Sequence, residues 1–190
     1  MSSIGKSRAR VVTAAATVAV AAFSLTAFSA HGSSARAEGA VASQGKTAKA
    51  AVTCQGSNTK TTAAPLARPL NHMLLTVTNT GSSPCYLYGY PSVQFGEAQS
   101  EPPVIEASKP QAVVTLAPKE SGYASVNLST ADGSGSNGTT EKSLTVYFQD
   151  RAGGSLSSAA HPSLPAKGVY IDDSIKVSYW QQELDDAIIW

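Results

Sequence analysis

The chain has 190 residues, 42% of them hydrophobic and 14% charged, and its 14 Lys and Arg against 13 Asp and Glu leave a formal charge of +1. That length accommodates one domain, or two at most. The near-balance of charge excludes the basic field of a nucleic-acid binder, and the hydrophobic and aromatic content excludes a wholly disordered chain.

The first ten residues carry Lys6, Arg8 and Arg10 and no acid. Val11 to Ala22 is almost wholly Val and Ala, and Phe23, Leu25 and Phe28 extend the apolar run. A basic segment, an apolar segment and then small residues predict a secretory signal peptide over residues 1–37. The expected cut follows Ala35-Arg36-Ala37, with Ala27-Phe28-Ser29 as a second candidate. The rival reading is a membrane anchor from Val11 to Ala30, just long enough at about 1.5 Å per residue. Its richness in Ala, Ser and Thr gives it little drive to stay in hydrocarbon. The first cysteine is Cys54, too distant for a lipid anchor at the cut, and Arg8 and Arg10 are not adjacent, against a twin-arginine signal. Cleavage removes four bases (Lys6, Arg8, Arg10 and Arg36) and no acid, leaving 10 bases against 13 acids and a net charge of −3. The expected product is secreted and mildly acidic, with no stable membrane anchor and no nucleic-acid partner.

Residues 38–52 hold small side chains and no large apolar ones beyond Val41 and Val52. They cannot bury enough surface to offset the entropy of ordering, so a flexible leader is expected. From Cys54 onward short alternating segments appear. Asn71 to Asn79 puts Met73, Leu75 and Val77 on one face and Thr76 and Thr78 on the other, the period of a half-buried strand. A turn follows at Asn79 to Pro84. Further strands are expected at Cys85–Tyr90, Ser92–Phe95 after Pro91, Ala112–Leu116, Gly122–Leu128 and Ser143–Phe148, with one or two more in Val169–Trp180. Seven or so short strands and no long helical stripe predict an all-β, antiparallel β-sandwich over residues 53–180, a comfortable core at about 130 residues. The tail, residues 181–190, groups Glu183, Asp185 and Asp186 before Ile188-Ile189-Trp190. A final strand or short helix docked by its apolar end is expected, against the alternative of an exposed partner-binding tail.

Cys54 and Cys85 are the only cysteines. In an exported chain two cysteines in one domain are expected to pair, and no neighbouring histidine or second ligand pair suggests a reactive or metal-bound thiol. Several of these segments together are similar to a known family. They are the Cys at the start of the folded part, Leu75-Thr-Val-Thr-Asn-Thr-Gly81, Pro84-Cys85-Tyr86-Leu87-Tyr88-Gly89-Tyr90-Pro91-Ser92-Val93, and Leu116-Ala117-Pro118 before Gly122-Tyr123-Ala124-Ser125-Val126. Over about residues 54–180 the chain resembles a family of exported proteins from high-GC Gram-positive bacteria, catalogued as domain of unknown function four-two-three-two. The Cys-x-Leu-x-Gly-Tyr-Pro segment is the specific part. The resemblance implies an immunoglobulin-like sandwich and a Cys54–Cys85 bridge. Many members have a lipid-site cysteine or a second cysteine pair, and this chain has neither. The family carries no assigned activity.

Catalytic patterns are sparse. The nearest approach to a serine-hydrolase elbow, Gly133 to Gly138, lacks its spacing. His72 and His161 are isolated, without zinc-ligand spacing, and phosphate and dinucleotide loops are absent. Asp132 to Glu141 is like a calcium loop, but its Gly is displaced by one and Ser replaces two acids, so a hairpin tip is expected; Asp172-Asp173 reads as a turn. No catalytic, metal or cofactor residue is assigned, and no cofactor is expected. On a regular strand Tyr86, Tyr88 and Tyr90 share the face opposite Cys85, Leu87 and Gly89. They form either an outward stripe for contact with protein or glycan, or a packed row under a loop. The expected function is a secreted, non-catalytic, extracellular or envelope-associated binding module, its partner an extracellular protein or cell-wall glycan. The alternative is an inhibitor of a secreted protease that presents Glu101-Pro102-Pro103-Val104 as a rigid loop.

Overall fold

The computed structural model describes residues 49–190, and the expected signal peptide and most of the expected leader lie outside them. In chain order the elements are β1 (Val52–Thr53), β2 (Thr59–Pro65), β3 (His72–Asn79), β4 (Cys85–Phe95), β5 (Val104–Ile105), β6 (Val114–Leu116), β7 (Ser121–Asn127), β8 (Thr139–Glu141), β9 (Leu144–Gln149), β10 (Val169–Ile171), β11 (Lys176–Ser178) and α1 (Leu184–Ile188). A 3₁₀ turn, Glu106–Ser108, follows β5. One sheet has the order β2-β3-β7-β11-β5; the other joins β1, β4 and β6, with β9 also on β4. β8 and β10 form a separate two-stranded ribbon. Pairing is antiparallel except for β1 on β4 and β5 on β11.

The core follows from side-chain alternation. Met73, Leu75 and Val77 of β3 are buried, as are Ala124 and Val126 of β7. They meet by register, Met73 opposite Val126 and Leu75 opposite Ala124. From the other sheet Leu87, Val93, Leu116, Val146 and Phe148 join the same apolar cluster. The all-β sandwich predicted from the sequence is the fold observed. Gly122 sets how closely the sheets approach, because a Cβ there would stand 3.1 Å from Leu87 Cδ2 and 3.2 Å from Val114 Cγ1. Trp180 is fully buried, its ring stacked on Phe148 at 6.1 Å between centroids. Buried Asn79 organises the predicted turn. Its Nδ2 donates to the carbonyls of Ser83 and Leu116, each at 2.9 Å, and its Oδ1 accepts from Gly81 N–H.

Two expectations change. The strands placed on either side of Pro91 are one strand of 11 residues. β2 was not foreseen, although it pairs along its whole length with β3. Its Thr-Lys-Thr-Thr-Ala-Ala-Pro sequence alternates in burial but has no large apolar side chain to display the period. The chain's end is a short helix, the helical form of the expected tail. Ala187 of α1 is buried and Ile188 and Trp190 are half-buried, while Ile189 is 70% exposed.

Candidate functional site

An irregularity in β4 positions the site. Tyr88 pairs with Gln149 and Ser92 with Tyr147, so three residues of β4 stand opposite the single Phe148. Gly89 absorbs the extra length at φ +60°, in the left-handed region that glycine enters without a Cβ clash. Pro91 sits in the same bulge, where its missing N–H removes no ladder bond.

Beyond the bulge β4 has a strand partner on one side only. Val146 of β9 both donates to and accepts from the backbone of Ala160, each at 2.9 Å. Its polar groups therefore face away from β4. Val93 lies opposite Val146, so these two exchange no hydrogen bond, and Val93 directs its N–H and C=O to the opposite edge. No described residue bonds them there, although Val93 is only 1% exposed.

Two clefts meet at Val93. The first, about 320 Å³, has Phe95, Ile171 and Ile175 among its apolar lining and Glu101, Asp172 and Asp173 among its polar lining. The second, about 340 Å³, is lined by Ser92, Gln94, Tyr147 and Ser155 on the β4–β9 side. Ala98, Ser100 and Glu101 border both. Neither lining includes Lys, Arg or His, so the concavity has an acidic field. Ser92 is 3% exposed, and its Oγ has no hydrogen-bond partner among the described residues.

Two of the acids are held by hydrogen bonds. Asp172 accepts from Ser174 N–H at 3.0 Å and from the Ser174 hydroxyl. Asp173 accepts from Ser136 N–H at 2.7 Å and from Asn137 Nδ2 at 3.3 Å. The segment that is like a displaced calcium loop is thus fastened to Asp173. Within it, Ser134 N–H donates to Asp132 at 3.0 Å, and the bonds from Ser134 hold the Asp132 carboxyl below its ordinary value. Among the described residues no three His, Cys, Asp or Glu side chains are grouped to hold a metal ion.

Residues 54–181 match the family described as Domain of unknown function (DUF4232). The chain belongs to this family. No curated protein and no solved structure matches it. In this DUF4232 domain the Cys-x-Leu-x-Gly-Tyr-Pro segment has an architectural role. Cys85 bonds to Cys54 across a Cα separation of 5.0 Å, and both are buried. Leu87 enters the core, Gly89 makes the bulge, and Pro91 lies within it. The bridge fits an oxidising compartment, and no described helix is long and apolar enough to cross a membrane.

The bulge also divides the tyrosines. Tyr86 is 37% exposed and lies 5.7 Å from Tyr88, centroid to centroid. Past Gly89 the alternation is interrupted, and Tyr90 packs on the core and meets Tyr179 edge-on at 5.3 Å. The DUF4232 domain therefore presents two tyrosines together, not three. Burial, and then the bond to Glu106, raises the Tyr179 phenol above its usual value. The two described histidines stand apart from the clefts: His72 Nδ1 is bonded to the Leu70 carbonyl and His161 Nδ1 to the Thr145 hydroxyl.

The clefts join segments far apart in sequence. Glu101-Pro102-Pro103, Asp132–Glu141 and Asp172-Asp173 each drew notice on the chain, but nothing in one dimension indicated that they share a wall. Ser92 and Val93 carried no signal, because an open strand edge is a property of pairing.

Proposed function

We propose that this protein is a secreted, non-catalytic binding module of the bacterial cell surface or its surroundings. It takes its ligand at the paired clefts along the free edge of β4. The observation that carries this reading is the meeting of two acid-lined concavities at Val93, whose backbone groups have no partner. Ser92 and Ser100 border the clefts beside carboxylates and apolar carbon, a mixture of groups suited to recognition. The sequence supports export through its basic, apolar and small-residue N-terminal pattern, and the disulfide agrees with it. Tyr86 and Tyr88 supply a second, smaller contact surface on the same sheet.

The exported chain, immobilised and exposed to cell-wall fragments and to secreted proteins, is expected to retain a partner. Glu101→Lys, which reverses a charge bordering both clefts, is expected to release it. Retention that Glu101→Lys does not change, or no retention from either source, contradicts the reading. The Glu101–Val104 loop serves here as a cleft wall, so secreted proteases are expected to keep full activity in its presence.

A further inference from the structure

We propose that the occupant of this site is an extended peptide bearing a Lys or Arg side chain, which adds as a strand beside Val93. The inference rests on the binding-module reading and names its partner.

An unpaired N–H and C=O on one residue of an edge strand match one residue of an incoming strand, which returns both bonds. The geometry then dictates side-chain placement. The residue opposite Val93 lies on the face of Val93 itself, toward the first cleft. Its two neighbours lie on the other face, toward Ser92, Gln94 and Tyr147. The first cleft combines Phe95, Ile171 and Ile175 with the carboxylates of Glu101, Asp172 and Asp173. An aliphatic stem ending in a cation suits that combination, the stem on apolar carbon and the head among the acids. The second cleft offers the unpartnered Ser92 hydroxyl to small polar neighbours.

Val93 is nearly inaccessible, so entry requires the bordering loop to lift. Its bonding permits this. Ala98 N–H donates to the Phe95 carbonyl at 3.0 Å, and the Pro103 carbonyl accepts from Val177 at 3.1 Å. Between these anchors Gln99–Pro102 makes no backbone hydrogen bond with a described residue. A segment tied only at its ends opens at low cost.

The test uses the exported chain and a blocked pentapeptide amide, Ser-Thr-Lys-Thr-Ser, in an NMR titration. The expected result is saturable binding, with shifts at Val93 to Phe95 and slowed amide exchange at Val93. Replacing the peptide's Lys by Glu, N-methylating that Lys, or introducing Glu101→Gln is each expected to weaken binding at least tenfold. Glu101 makes no hydrogen bond within the described fold, so Glu101→Gln leaves folding intact. No binding, or equal binding of the Lys and Glu peptides or of the N-methylated peptide, overturns the inference. If the peptide fails while the exported chain still retains wall material or a secreted protein in a Glu101→Lys-sensitive way, the binding-module reading stands and this partner is wrong. If both fail, the reading falls with it.

Discussion

Val93 and Val146 face one another across β4 and β9 without exchanging a hydrogen bond, because Ala160 takes both polar groups of Val146. The pairing on the far side of β9 thereby fixes which way β4 presents its backbone. An edge strand with unmet groups attracts other chains, and folds usually blunt such edges. Here the blunting is a loop that borders the edge but forms no backbone ladder with it.

The Cys54–Cys85 bridge closes a separation of 31 residues. On the chain-entropy account such a loop contributes roughly 3–4 kcal/mol. The Cys54→Ala, Cys85→Ala double variant is expected to lose about that much in urea unfolding, with a steeper denaturant slope because the unbridged unfolded chain exposes more surface. A loss below about 1 kcal/mol would show that the bridge does not constrain the unfolded chain as this model requires.

Gly122 is a point of close approach between the sheets. A Cβ there would meet Leu87 and Val114 side chains and stand 3.3 Å from the Gln181 carbonyl oxygen. Gly122→Ala is expected to cost about 1–3 kcal/mol through overpacking, measured by chemical denaturation. Gly133→Ala has open space around it but a positive φ of 71°, so its smaller expected cost, about 1 kcal/mol, comes from the backbone alone.

How far the sequence reveals the fold depends on the size of the alternating side chains. β3 is legible because Met73, Leu75 and Val77 contrast with threonines. β2 is not, because Thr and Ala give the same period without contrast. The break read at Pro91 was a bulge, since proline marks either and only the partner strand distinguishes them. The tyrosine row followed from perfect alternation, which Gly89 interrupts. The disulfide needed only two cysteines and an export pattern. The clefts were hidden because their walls come from β4, the loop after it, and the region around β8 and β10.

The divided tyrosines give an ordered pair of effects. Tyr90→Ala removes a ring packed on the core and on Tyr179 and is expected to destabilise by about 1–3 kcal/mol. Tyr86→Ala removes an exposed ring and is expected to change stability by less than about 1 kcal/mol. Thermal melts of the two variants check the order. Equal losses would mean that Tyr86 and Tyr90 share one environment.

Tyr179 sets an alkaline limit. Its phenol is raised above 10.0 in the fold by burial and by Glu106, so the folded state favours the neutral form. That preference is fully present below pH 10 and is lost as the pH rises through the folded-state value. Tm is expected to fall more steeply above pH 10 in the natural chain than in Tyr179→Phe. Parallel curves would remove Tyr179 as the cause.

The free edge itself is open to direct measurement by residue-resolved hydrogen exchange on the chain without ligand. Gln94 pairs with Thr145 in the bonded register, and Val93 does not. The Val93 amide is therefore expected to exchange at least a hundredfold faster than that of Gln94, through local opening of Gln99–Pro102. Equal protection of the two amides would mean that Val93 is already paired, and would contradict the open edge on which the proposed site depends.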